Sequence, residues 1–537
     1  MKNTTFFRTG LRLSTLSLAA LLSVTSCREI TDLQPADSFS ETTAFTSAPR
    51  VELAAIGMYN AAQSGSYAGN VVRGYPFGAA SIQQADMRGE DMLNQALFYQ
   101  ITYESTYTPF SANNVWMWNT LFTLINQCNV LIEGSRTAAA NRVITDEQAR
   151  AYEGEGRFMR ALAYHELLLN FARPFAENNG NTPGVPIRDF AVNSPATVEK
   201  AVSTGRATVA EGYRFILEDL DYAEANLPAT RNGNLRVTRA VRGAAIALKT
   251  RVKLHQQDFA GVITEGNKIV SAAAPFTSPI GGYSLQATPA GPFTNNFSTE
   301  AVFSIENSAA DNPGVNGSLA GMLGNPRLGG RGLVRVSPIS YNLGQWPMND
   351  LRRTTLLNND GRSFYSQKYT DYTNRSDNAP IIRYAEVLMN LSEAIARTST
   401  AAVDPRALAL LNAIRNRAVV DDRDRYTAAS FATRNDFINA ILVERRIEFL
   451  GEGRRWPDIH RLARDPQFNQ TGTPGGGIPA KMAFGNATFA TYTGNPATPL
   501  TRTIAAIPYD NFRFLWPIPA DELALNPTLA RQQNPGY

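Results

Sequence analysis

The chain has 537 residues, enough to bury a large core, and its composition, 43% hydrophobic and 18% charged, is that of an ordinary globular protein. The formal net charge is +4, and three of the positives, Lys2, Arg8 and Arg12, lie in a stretch read below as a removable leader, which leaves 4 − 3 = +1. A mature chain so close to neutrality excludes the clustered basic face of a nucleic-acid binder.

The uncharged run from Leu13 to Ser26 is shorter than the ~20 residues a spanning helix requires, which argues against a transmembrane segment. A basic head, a short apolar centre and small residues before a cut site make a secretory signal over residues 1–26. Val24, Thr25, Ser26 and Cys27 resemble the bacterial lipoprotein signal, the lipobox. That resemblance implies that Cys27 becomes the acylated N-terminus, several chains on one residue holding more firmly than a single myristoyl group. The alternative is an ordinary secreted protein in which Cys27 is incidental. With Cys27 acylated, Cys128 stands alone beside Leu124, Ile125, Val130 and Leu131, which predicts a buried, inert thiol and a fold with no internal disulfide. Residues 27–47 are polar and read as a tether.

Helical patterns then recur. Thr145 to Gln148 has the spacing of a capping box, and Phe158, Ala161, Leu162, His165 and Leu168 follow on one face. Thr208 to Glu211 repeats the device ahead of the stripe Tyr213, Ile216, Leu217, Leu220, Ala223 and Leu227, which Pro228 stops. Val241, Ala245, Leu248 and Val252 make another stripe, and Asp258 opens a further helix almost at once, so short links imply antiparallel pairs. From about 275 to 375 the chain turns rich in Gly, Asn and Pro, with alternation at Ala301 to Glu306 predicting one short strand among loops. Helices are predicted again at 380–397, 405–419, 434–450 and 454–464. The expectation is a mostly α fold, a helical-repeat array interrupted by a loop-rich insert with a few short strands. It divides as a helical region over 48–274 and a second region over 275–537, interwoven in one globular unit.

Six blocks carry a family resemblance: GEGRFMRALAYHELLLNFARP (154–174), TRAVRGAAIALKTRVKLHQQDF (238–259), NDLRR (349–353), PIIRYAEVLMNLSEA (380–394), ERRIEFLGEGRRWPDIHRL (444–462) and FLWPIPADELALNPTLARQQNPGY (514–537). In this order, and behind a lipobox, they closely resemble the SusD/RagB family of outer-membrane lipoproteins. The resemblance implies a tetratricopeptide-like scaffold with an irregular subdomain, lipid-anchored and facing the cell exterior. It also implies a SusC-like TonB-dependent transporter barrel as partner, an oligosaccharide or peptide as ligand, and neither cofactor nor catalysis. The rival readings are a glycan-hydrolysing surface lipoprotein and a protein-binding helical scaffold. A glycosidase needs only two carboxylates at a set separation. Against other enzyme classes stand the three histidines, His165, His255 and His460, which show no paired metal spacing.

Within the blocks, Arg383, Glu386, Asn390 and Glu393 fall on one helical face, and the expected role is a buried ion-pair seam with Arg383–Glu386 and Glu393–Arg397 as internal pairs. Trp456 and Trp516 are expected in the core, the latter in a proline-stiffened latch, Trp516 to Pro519. Trp118 is expected in the core too, on the stripe of Leu121, Phe122 and Ile125. Ligand contacts are expected from aromatic and polar side chains on loops, where the resemblance places the family's binding surface. The candidates are Tyr75 and Arg88 from the segment 64–95, Trp116, and Tyr341 and Trp346 from the insert. The acidic group Asp86, Glu90 and Asp91 lacks the regular spacing of a Ca²⁺ loop and reads as a solvated turn.

Overall fold

The computed structural model describes residues 41–65, 73–469 and 476–537. The leader, the lipobox with Cys27 and the tether up to residue 40 lie outside the described residues. Helices of six or more residues are numbered here in chain order. The first region holds α1 (Ala48–Ser64), α2 (Ala79–Arg88), β1 (Met92–Asn94), α3 (Leu97–Tyr103), α4 (Ala112–Ala140), α5 (Asp146–Phe171), α6 (Pro195–Ser203), α7 (Val209–Asn226), α8 (Arg242–His255) and α9 (Phe259–Ile269). The insert holds β2 (Ala301–Ile305), β3 (Val334–Val336), β4 (Leu357–Asn359), β5 (Phe364–Ser366) and β6 (Ala379–Arg383). Helices return as α10 (Tyr384–Thr398), α11 (Pro405–Arg415), α12 (Arg434–Glu448), α13 (Arg455–Leu462) and α14 (Ala520–Leu525).

Local chemistry sets the helix starts. Both expected capping boxes form: the Gln148 N–H donates to Thr145 Oγ1 at 3.1 Å while the Thr145 N–H donates to Gln148 Oε1 at 2.9 Å. Thr208 and Glu211 repeat the exchange at 2.7 and 3.1 Å, and Asp258 caps α9 by accepting from the Gly261 N–H at 2.9 Å. Each amphipathic helix then buries its stripe on its neighbours in the chain. α1 packs on α4, α4 on α5, α5 on α7, α7 on α8, α8 on α9, α9 on α10, and α10 on both α11 and α12. This is the stacked, tetratricopeptide-like array. Gly156 permits the close approach of α4 and α5, since a Cβ there would lie 2.9 Å from Ile132 Cγ1.

The predicted helix over 380–397 begins four residues later than expected, because Ala379–Arg383 pairs antiparallel with β2, Ala301 opposite Arg383 and Ile305 opposite Ala379. Pro380 is tolerated in a strand that has a partner on one side only. β1 pairs with β3 (Met92 opposite Val336), and β4 with β5 forms a hairpin (Leu357 opposite Ser366). One continuous apolar core runs from Ala55 to Leu529, and Trp118, Trp456 and Trp516 are buried, as is Cys128, whose thiol burial pushes far up.

Candidate functional site

Four of the five expected ligand contacts are interior. Arg88 is fully buried: Nη1 donates to Asn170 Oδ1 at 2.8 Å, Nη2 to the Phe514 carbonyl at 3.0 Å, and its guanidinium lies 3.5 Å from the centroid of Trp456 and 4.8 Å from that of Trp516. It clamps α2, α5 and the C-terminal latch together, and burial lowers its pKa to about 10. Tyr75 is buried with its hydroxyl accepting from Gln84 Nε2 at 2.8 Å. Tyr341 and Trp346 are covered by Arg353, whose guanidinium sits 4.2 Å from each ring centroid and whose Nη2 donates to both of their carbonyls. Tyr341 is the inner end of an aromatic column that passes through Phe364 (4.6 Å) to the exposed Phe489 (5.9 Å from Phe364). Only Trp116, half-buried in the first turn of α4, keeps open surface. These side chains are spent on packing because long-range contacts, invisible in local pattern, close over them.

The charged groups are likewise committed. Asp86, Glu90 and Asp91 are buried rather than solvated, since Arg446 and Arg455 pack against them: Arg455 Nη2 lies 2.8 Å from Glu90 Oε1 and Arg446 Nε 2.6 Å from Asp91 Oδ1. Burial pushes Glu90 up, but Arg446 and Arg455 outweigh it and hold its carboxyl at about 2. Burial, then the charge of Asp91, raises Asp86 to about 7. The seam on α10 is real but differently paired. Glu393 meets Arg397 (2.9 Å) as expected and also Arg461 (2.7 Å), whereas Glu386 pairs with Arg251 (2.6 Å). Arg383, at the end of β6 and not on the helix, turns to Glu300, Glu448 and Glu452. Carboxylates held this way are structural, and none is presented to solvent as an acid–base pair.

One open apolar surface lies on α3, where three large apolar side chains stand exposed within five residues. Asn94 accepts from the Ala96 N–H at 2.9 Å just before the helix begins, and Tyr99, Thr102 and Tyr103 then face the core. Leu97, Phe98 and Ile101 face outward on the opposite side, Leu97 88% exposed and the other two each 37%. The sequence LFYQITY, just beyond the segment 64–95, holds more apolar residues than one buried face can use, and that is the signal in the sequence for this face. The Arg73 guanidinium stands 5.5 Å from the Phe98 centroid. Against Arg73 and Gly74 lies the short turn Gly314–Gly317, a Cβ on Gly317 falling 2.8 Å from the Gly74 nitrogen. The next polar groups outward are Asn316 and Arg331, hydrogen-bonded to each other. The Gln95 N–H donates to the Leu333 carbonyl at 2.8 Å, extending the β1–β3 ladder and fixing residues 331–333 beside α3.

Two concavities lie elsewhere. One of about 400 Å³ includes Tyr59, Gln63, Arg239 and Glu306; one of about 410 Å³ includes Trp118, Phe122, Arg188 and Glu522. Their cations are already matched, Arg239 to Glu155 at 2.5 Å and Arg188 to Glu522 at 2.6 Å. The α3 face is therefore the stronger site: a flat apolar platform on a rigid scaffold, fringed by guanidinium and amide groups.

A scaffold of stacked helices that carries an open apolar face is the class that this fold defines. Residues 344–537 match the family model described as the SusD family, and residues 52–254 match the model described as starch-binding, associating with outer membrane. The chain belongs to the SusD/RagB family. It is 24% identical over 465 residues to a SusD-like protein P2 of Formosa agariphila, covering 78% of this chain and 80% of that one. A crystal structure of a SusD superfamily protein from Bacteroides fragilis superposes with a TM-score of 0.72 at 25% identity, over 90% of this chain and 99% of the other. A laminarin-binding SusD-like protein shares the fold with a TM-score of 0.65 at 19% identity, over 92% and 100% of the two chains.

Proposed function

We propose that this chain is a cell-surface binding lipoprotein, anchored through Cys27, that captures glycans and passes them without catalysis to a TonB-dependent transporter barrel in the outer membrane. The observation that carries the reading is the open α3 face, where Leu97, Phe98 and Ile101 present apolar surface beside Arg73. A sugar ring offers an apolar face to such side chains and a rim of hydroxyls to amides and guanidinium groups. The outer-membrane association described by the matched family model and the glycan ligands of structurally similar proteins support the same reading. No helix among the described residues is long and apolar enough to cross a membrane, and the anchor proposed is the lipid on Cys27.

The test is affinity electrophoresis in polysaccharide-containing gels, wild type against Leu97→Ala/Phe98→Ala. Retention by a glycan that the double variant weakens by about tenfold, ~1.4 kcal/mol, with unchanged thermal stability, is the expected result. Equal retention of both proteins places the site elsewhere.

A further inference from the structure

The segment 324–332, GNPRLGGRG, is a loop closed on itself. The Leu328 and Gly330 N–H groups both donate to the Asn325 carbonyl at 3.0 Å, the Gly332 N–H to Gly324 at 3.1 Å, and the Arg331 N–H to Gly321 at 2.8 Å. Gly329, with φ of 108°, makes the turn that allows this closure. Asn325 Nδ2 donates to Asn358 Oδ1 and ties the loop to the β4–β5 hairpin. Two arginines are thereby presented from a fixed backbone. Arg331 is steadied by Asn316, and Arg327 reaches across so that its Nη2 lies 3.8 Å from the position a Cβ would take on Gly361. The next residue on that hairpin tip is Arg362, so Arg327 and Arg362 stand at the loop and the hairpin tip with Arg331 on the same loop, all three exposed.

Among the described residues none of the three has a carboxylate within 4.0 Å, whereas interior arginines such as Arg352 and Arg383 each meet three. Carboxylates do stand nearby, and they are occupied. Asp360 Oδ1 accepts from the N–H groups of Arg362 (2.8 Å) and Ser363 (2.9 Å). In the adjoining loop, whose Tyr372 abuts Gly324 and Gly329, Asp371 Oδ1 accepts from the Asn374 N–H (2.8 Å) and Asp377 Oδ2 from the Asp371 N–H (2.8 Å). Arg331 keeps its hydrogen bond to Asn316, and a guanidinium fork without a carboxylate partner fits a planar or tetrahedral oxyanion with two parallel hydrogen bonds.

We propose that the saccharide taken at this face is anionic, bearing carboxylate or sulfate groups, and that Arg327, Arg331 and Arg362 bind those groups. This rests on the glycan-binding reading above. The experiment is titration calorimetry on the full chain in detergent with three polymers: polygalacturonate for carboxylate, dextran sulfate for sulfate, and neutral laminarin. The expected result is tighter binding to one of the two anionic polymers, which names the group. That binding weakens about tenfold in the triple variant Arg327→Gln/Arg331→Gln/Arg362→Gln, and falls on raising NaCl from about 0.05 to 0.5 M as screening removes an exposed contact. Arg142→Gln/Arg150→Gln, at exposed positions on another part of the array, leaves it unchanged. An equal loss in that control shows non-specific charge attraction and overturns the proposal. Tighter binding of laminarin, indifferent to the three arginines, also overturns it and leaves glycan capture standing. Binding of none of the polymers removes the glycan reading and this inference with it.

Discussion

Replacing Arg383 by methionine keeps most of the side-chain volume and removes one charge from the centre of the second region. The guanidinium contacts Glu300 at 2.5 Å, Glu452 at 2.7 Å and Glu448 at 3.1 Å, all buried. Other cations remain for these groups: Arg417 for Glu300 (2.6 Å) and Glu448 (2.7 Å), Arg352 for Glu448 (3.3 Å), and Lys368 for Glu452 (2.6 Å). Breaking one member of a buried pair costs about 3–5 kcal/mol, and the remaining cations set the expected loss at the lower end, about 3 kcal/mol. An unfolding entropy of about 2.1 cal/mol/K per residue, taken over the described residues, is ~1 kcal/mol/K, so Tm falls by about 3 °C. Scanning calorimetry reads the shift, and urea midpoints check it. Arg214→Ala is the control: its pair with Glu218 is exposed on both sides, and its loss is expected to cost no more than about 0.5 kcal/mol. The reasoning fails if Arg383→Met is as stable as wild type, or if Arg214→Ala costs as much.

Acid unfolding has a defined sign. Burial pushes Glu386, Glu393 and Glu448 up, but their arginine partners outweigh it and hold each at about 2, so their contribution is present above the usual glutamate value of 4.5 and is lost as pH falls toward 2. Asp86 and Asp377, raised mainly by burial to about 7 and about 6, pull the other way between about pH 4 and 7. The expected Tm profile is a shallow plateau in that range and a steep fall below pH ~4; a monotonic decline starting at pH 7 contradicts it. Trp346→Ala, in a site closed by Arg353, is expected to cost about 3–5 kcal/mol in urea unfolding, and half-buried Trp116→Ala less than half as much; equal costs refute the burial argument. Arg88→Met removes two charge-assisted hydrogen bonds worth about 1.5–3 kcal/mol each before compensation. Limited trypsin digestion of this variant is expected to release the C-terminal segment faster than wild type, and an unchanged cleavage rate refutes the clamp.

Helix starts were legible because caps are local: Thr145, Thr208 and Asp258 satisfy backbone groups within three residues of themselves. The strand at Ala301 was legible by alternation, but its partner over 379–383 was not, since a strand ending directly in a helix has the same apolar density as the helix. The site was read least well. Tyr75, Arg88, Tyr341 and Trp346 are aromatic or basic residues in loop-like composition, yet each is buried by contacts from 7 to several hundred residues away, such as Arg88 with Phe514. The α3 face was missed for the converse reason: in a helix of seven residues, two apolar faces are difficult to tell from one buried strand.

In the proposed function the molecule stands between a soluble saccharide and a membrane barrel, with the array as frame and the α3 face as contact surface. The most direct measurement of that claim is native mass spectrometry of the chain extracted gently from its own outer membrane. The account predicts an acyl mass on Cys27, a co-extracted transporter barrel, and saccharide retained in the complex. A chain that emerges unacylated, without a barrel and without saccharide, contradicts it.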